Sequence, residues 1–220
     1  MSTSRDRILD RLRAAQPLAV AVKPSNGHLP MVPLGGQSPA GLRAQFIEQA
    51  EKLACIIHQP AAGTDAIQTV LGIIGADRLI LSWGLEHIGL PGFAEALATS
   101  GIRATQAREA SARIGVTGVD ACLAATGSLV IATGVGKPRV ASLLPPVHIA
   151  IVRPGQIIAD FETWVALQHR NGPDDFRAQA SQVVISGPSR TADIAMQLIL
   201  GMHGPGELHL VIVGAYRGNI

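Results

Sequence analysis

Strand-like and helix-like stretches alternate between residues 54 and 106, and this alternation restricts the fold more than any other feature of the chain. "LACIIH" and "RLILS" read as short apolar strands. Between them Ile67, Val70, Leu71 and Ile74 give the i, i+3, i+4, i+7 stripe of a helix. "GFAEALATSG" reads as a short helix closed by Gly101, and "IRATQ" as a third strand. Strands separated by single helices pair in parallel, so the rhythm implies βαβ units and a largely parallel sheet flanked by helices. Aromatic residues make up only 3% of the chain, so Ala, Val, Ile and Leu must fill the core, as they do where helices cover both faces of a sheet.

Outside that stretch the pattern changes. An amphipathic helix over roughly residues 4 to 15 (Ile8, Leu9, Leu12) leads into "PLAVAVKPSNGHLPMVPLGGQSPA", whose five prolines mark an extended arm. Residues 1–37 therefore read as helix plus arm, and 38–220 as one α/β domain. A second amphipathic helix puts Leu42, Phe46, Ala50 and Leu53 on one face. After Ser111, "GSLVIAT", "KPRVASL" and "HIAIV" read as strands too close together for crossover helices, hence an antiparallel hairpin or meander added to the sheet. A helix near Phe161 to Gln168, the strand "QVVISG", a helix from Thr191 to Met202 and a last strand "LHLVIV" complete the expectation. Gly204 and Pro205 serve there as helix cap and stop.

Several functions are excluded early. A net charge of +2 is too small to suggest nucleic acid or an anionic membrane surface. No apolar run approaches the ~20 residues that span a bilayer, and the amino-terminal pattern is no signal peptide, so a cytoplasmic protein is expected. Two cysteines, Cys55 and Cys122, cannot make a four-thiolate zinc or iron–sulfur site, and the histidines lack metal-helix spacing; neither a metal nor a cofactor is expected.

The candidate chemistry lies in three stretches. In "VVISGPSRTADI", a strand ends at Ser186-Gly187 and a helix is expected to follow the capping residues Ser189 and Thr191. Free N–H groups at a helix start bind anions, and Arg190 would add a charged fork; a plain capped turn is the competing reading. "IATGVGKPR" fails the phosphate-loop template, with Ile131 in place of Gly and Pro138 in place of Ser or Thr. It also fails the dinucleotide fingerprint at Arg139. What remains is a tight loop whose Lys137 and Arg139 are either solvated charges or a clamp for a small anion. In "GVTGVDACLAATGSLV", Asp120 is a structural hydrogen-bonding group or a weak catalytic candidate, and Cys122 an inert core thiol unless a cation activates it.

Three long stretches, "GVTGVDACLAATGSLVIAT", "GKPRVASLLPPVHIAIV" and "ISGPSRTADIAMQLILGMHGPGELHLVIV", together resemble the LutC/YkgG family built on the LUD domain. The resemblance covers most of residues 114 to 213, with a looser match at "LSWG". It implies a fold like that of ribose-5-phosphate isomerase, NagB and the coenzyme A transferases. It also implies an accessory role in oxidising L-lactate to pyruvate beside iron–sulfur partner subunits. Two positions depart from the family pattern: Ala125 and Ala195 stand where Glu is usual, which weakens any acid–base or metal role there. The first reading is a non-redox subunit that binds partner proteins and a small anion. The alternative is an isomerase- or transferase-type enzyme acting on a phosphorylated or CoA-linked metabolite, with Asp120 as acid–base and Arg139, Ser189 and Arg190 on the anion.

Overall fold

A computed structural model describes residues 3–15, 38–61, 63–171, 178–192 and 198–214. The chain divides into two units, Met1–Met31 and Val32–Ile220. The first holds α1 (Ser4–Ala15), started by a reciprocal cap: Thr3 Oγ1 accepts from Asp6 N–H, and Asp6 accepts from Thr3 N–H. The expected arm over 16–37 lies outside the described residues.

The second unit begins with α2 (Pro39–Lys52), where Ser38 Oγ accepts from Gly41 N–H at 3.1 Å, Pro39 presets the first turn, and Phe46 and Ala50 are buried. In chain order follow β1 (Ile56–His58), α3 (Gly63–Ile74), β2 (Leu79–Ser82), α4 (Leu85–Ile88), α5 (Phe93–Thr99), β3 (Arg103–Thr105), β4 (Ile114–Thr117), β5 (Ala121–Leu123) and β6 (Ser128–Thr133). Then come β7 (Val147–Val152), β8 (Ile157–Ile158), α6 (Phe161–Asn171), β9 (Ser181–Ile185), β10 (Arg190–Ala192), β11 (Leu198–Leu200) and β12 (Glu207–Ile212).

Six strands form one sheet in the order β1-β12-β7-β4-β2-β3, every neighbouring pair parallel. All four residues of β4 are buried, as expected of a strand covered on both faces. Trp83, Phe46 and Phe93 are the bulkiest fully buried side chains, so the few aromatics sit where volume is needed most. Mixed α/β architecture with a parallel sheet flanked by helices and additional antiparallel strands is thus the observed fold. Among the described residues no helix is long and apolar enough to cross a membrane.

Three expectations are corrected. The antiparallel strands are not added to the main sheet. β5 and β6 form a hairpin in a separate sheet, β8-β5-β6-β9, with a small core of Ala121, Leu123, Val130 and Trp164, while "HIAIV" joins the parallel sheet as β7. "KPRVASL" is a 3-10 turn over Arg139–Ser142, because Pro138 sets its start and cannot donate to a ladder. No helix runs from Thr191 to Met202: β10 and β11 pair antiparallel, with Arg190 opposite Leu200 and Thr191 opposite Ile199. Residues 193–197, Ala195 among them, lie outside the described residues. With no helix to cap, Gly204 is not the left-handed residue; Gly201 is, at φ +80°.

Candidate functional site

Parallel strands aim their carboxyl ends at one side of the sheet, and the loops leaving β2, β4 and β7 enclose a cavity of about 350 Å³ there. Glu86, His87 and Gly89 come from the segment after β2, Val119 and Asp120 from the turn after β4, and Arg153 and Gln156 from the turn after β7. Lys137 arrives from the tight turn after β6, closed by a Gly134–Lys137 bridge and held when Gly84 N–H donates to Gly136 O at 2.7 Å.

Asp120 organises this cavity. Its Oδ2 accepts from Ala132 N–H at 2.6 Å and its Oδ1 accepts from the Lys137 ammonium at 2.7 Å. Lys137 Nζ also lies 4.8 Å from the centroid of Trp83, a cation–π contact that fixes the ammonium from a second side. Glu86 Oε1 faces His87 Nε2 at 3.5 Å. Gln156 ties two strand ends together: its Oε1 accepts from Arg153 N–H and its Nε2 donates to Val119 O. Asp120 is therefore placed as the anchor of Lys137, with both oxygens engaged.

The opening between β9 and β12 is a second cavity, about 240 Å³, at the amino ends of β7 and β12. Ser186, Gly187 and Ser189 line it, together with Ser142, His148 and His203. Ser186 Oγ lies 2.8 Å from Ser128 Oγ, which in turn accepts from Thr126 Oγ1 at 2.9 Å. His148 is buried, its Nε2 lies 2.9 Å from Thr117 Oγ1, and burial pushes its pKa down to about 3. This imidazole is neutral at any physiological pH.

The residues singled out from sequence thus separate. Lys137 and Asp120 meet in the carboxyl-end cavity; Ser186, Gly187 and Ser189 line the amino-end one. Arg139 is exposed on its 3-10 turn, and Thr191 is a strand residue. The Arg190 guanidinium donates to Leu53 O, on the corner that follows α2, and caps no helix. Both cysteines are buried, and burial raises both thiols: Cys55 to about 11, despite the nearby Arg190 charge, and Cys122 well above its usual value. Neither offers a thiolate. Sequence alone did not single out Glu86, His87, Arg153 and Gln156. The signal that would have found them is position: each follows the carboxyl end of a central parallel strand.

Comparison with known proteins agrees with this architecture. Residues 43–213 match the LUD domain family. A lactate utilization protein C from Halalkalibacterium halodurans is 32% identical over 177 residues, covering 76% of each chain. One from Geobacillus sp. is 34% identical over 102 residues, covering 46% of this chain and 42% of that protein. A solved DUF162 family protein from Deinococcus radiodurans superimposes with a TM-score of 0.61 at 19% identity, over 81% of this chain and all of that one, which establishes likeness of fold. This chain belongs to the LutC family of LUD-domain proteins.

Proposed function

We propose that this chain is a cytoplasmic, non-redox subunit of an L-lactate utilisation system, and that its carboxyl-end cavity holds a small carboxylate. The observation that carries the reading is the placement of Lys137, fixed by Asp120 and Trp83, in one cavity with Arg153 and His87. An ammonium and a guanidinium facing a shared space suit a carboxylate, and His87 can hydrogen-bond a neighbouring hydroxyl or keto oxygen. The names of the relatives supply the metabolic context. With both cysteines buried, oxidation in such a system falls to partner subunits carrying iron–sulfur clusters. Asp120, with a donor on each oxygen, suits a positioning role better than the acid–base role that an isomerase or transferase would need.

Thermal unfolding of the purified protein with L-lactate, pyruvate, phosphate, ribose 5-phosphate and coenzyme A tests this directly. A ligand at ~1,000 times its dissociation constant adds roughly 4 kcal/mol, a clear shift in midpoint. Lactate or pyruvate should stabilise the protein, and Lys137→Met should weaken that ligand about tenfold or more. Stabilisation by phosphorylated or CoA-linked compounds alone would overturn the reading in favour of an enzyme.

A further inference from the structure

At the edge of the main sheet two histidines that line neither cavity meet across neighbouring strands. His58 ends β1, and His209 lies in β12 opposite Ile56, so the two side chains emerge on one face. His58 Nε2 lies 3.0 Å from His209 Nδ1, and the ring planes differ by 12°. The 5.3 Å between ring centroids equals that contact plus one ring radius on either side. The rings therefore meet edge to edge, nitrogen pointing at nitrogen, and do not stack.

The third member fixes the protons. Glu207 Oε2 lies 3.4 Å from His209 Nε2, and a carboxylate can only accept. His209 therefore carries its hydrogen on Nε2, its Nδ1 is the acceptor, and His58 Nε2 must donate. Carboxylate, imidazole and imidazole form one directed chain with a single allowed arrangement of hydrogens.

We propose that Glu207, His209 and His58 form a proton relay that acts as a pH-sensitive latch on the edge strand β1. One proton taken from solvent at the remaining ring nitrogen of His58 leaves the contact intact. The hydrogen on His58 Nε2 crosses to His209 Nδ1, and the positive charge rests on the imidazole beside Glu207. A second proton has no such outlet, because two N–H groups would then face each other across 3.0 Å. Burial, and the charge of His209 when protonated, hold the His58 pKa below its ordinary value, so the latch stays closed near neutrality and opens on acidification.

The consequence falls on β1, which has three residues and, among the described strands, pairs only with β12. Immediately before it lies the Leu53–Cys55 corner, which carries the docked Arg190 and a non-glycine residue, Ala54, at φ +62°. Charged groups on the elements around the latch are Arg43, Glu48, Glu51 and Lys52 of α2, Asp65 of α3, Glu207 of β12 and Arg190 of β10. Lys52 pairs with Glu48. Of these charged groups, Glu207 is the one that pairs with an imidazole, that of His209.

The test is an imidazole ¹⁵N NMR titration of the full chain from pH 8 to 5, with amide exchange of Ile57 and His58 measured alongside. Two separate protonation steps are expected. Amide exchange at β1, corrected for its intrinsic pH dependence, should accelerate about tenfold with the second step. Glu207→Gln should displace the first step, and His58→Gln, which cannot charge, should abolish the pH-dependent acceleration while keeping the fold. Independent titration of the two rings, insensitive to Glu207→Gln, would overturn the relay. Unchanged β1 protection through the second step would overturn the latch.

Discussion

The two cavities at opposite ends of the parallel sheet are built from different materials. At the carboxyl ends, Lys137, Arg153, Asp120, Glu86 and His87 converge from separate loops. At the amino ends, serine hydroxyls and a neutral, buried His148 line the wall beside Leu143, Ile185 and Leu208. Loops leaving strand ends carry charge into partial solvent, where Asp120 and Lys137 keep 19% and 25% of their side-chain surface exposed. At the amino end, His148 is buried and has lost its charge to burial. Charge at one end and neutrality at the other tell the same story: ionised groups persist in this molecule only where a partner or water reaches them.

The largest effect is expected at the amino end. Gly127 turns the β5–β6 hairpin at φ +69°, and a Cβ there would lie 2.4 Å from the Ala50 backbone nitrogen. Gly127→Ala should cost about 3 kcal/mol or more in urea unfolding, through positive-φ strain and backbone overlap together. Next in size is a pH effect at the same end. His148 binds its proton at about pH 3 when folded and near 6.5 when unfolded, so the unfolded chain holds more protons between those values. Its contribution is complete above pH 6.5 and declines as pH falls, by up to ~1.4 kcal/mol per pH unit. His148→Gln should flatten that part of the stability profile measured from pH 7 to 4.

Smaller effects belong to the charged end. Asp120→Asn should destabilise by about 1–2 kcal/mol, a modest figure because the pair is partly solvated, while weakening the carboxylate response in the thermal panel. Smallest of all, Arg139→Ala should change unfolding by less than about 0.5 kcal/mol and leave ligand response unaltered, since the side chain is exposed. A larger response to Arg139→Ala than to Asp120→Asn would reverse the assignment of charge to function.

Periodicity carried most of the main sheet. The Ile67–Ile74 stripe, the Leu42–Leu53 face and the strands at 78–82, 102–106 and 208–213 all have local reasons to form, and each lies where the pattern puts it. Where sequence misled, a tertiary contact overrode the local pattern. The apolar spacing in "RTADIAMQLIL" suits a helix, yet Arg190 is held by Leu53 O, far off in sequence, and Thr191 pairs with Ile199 inside the same stretch. The candidate site was half visible for a similar reason. Lys137 and Asp120 stand out as polar residues in small, apolar stretches, but only the strand order brings Arg153 and His87 beside them. The enzyme alternative's grouping of Asp120 with Ser189 joined residues that the sheet sends to opposite ends.

The carboxyl end of α2 sets a practical limit on shortening this protein. The Gly127 turn rests on Gln49 and Ala50, and the Gly187 turn rests on Leu53, where an added Cβ would lie 2.5 Å from the carbonyl oxygen. Two turns, far apart along the chain, thus rest on the carboxyl end of one helix. A fragment trimmed to the matched segment at residue 43 would lose the Ser38 cap and the first turn of that helix. Any minimal version for crystallisation or labelling should therefore begin no later than Ser38.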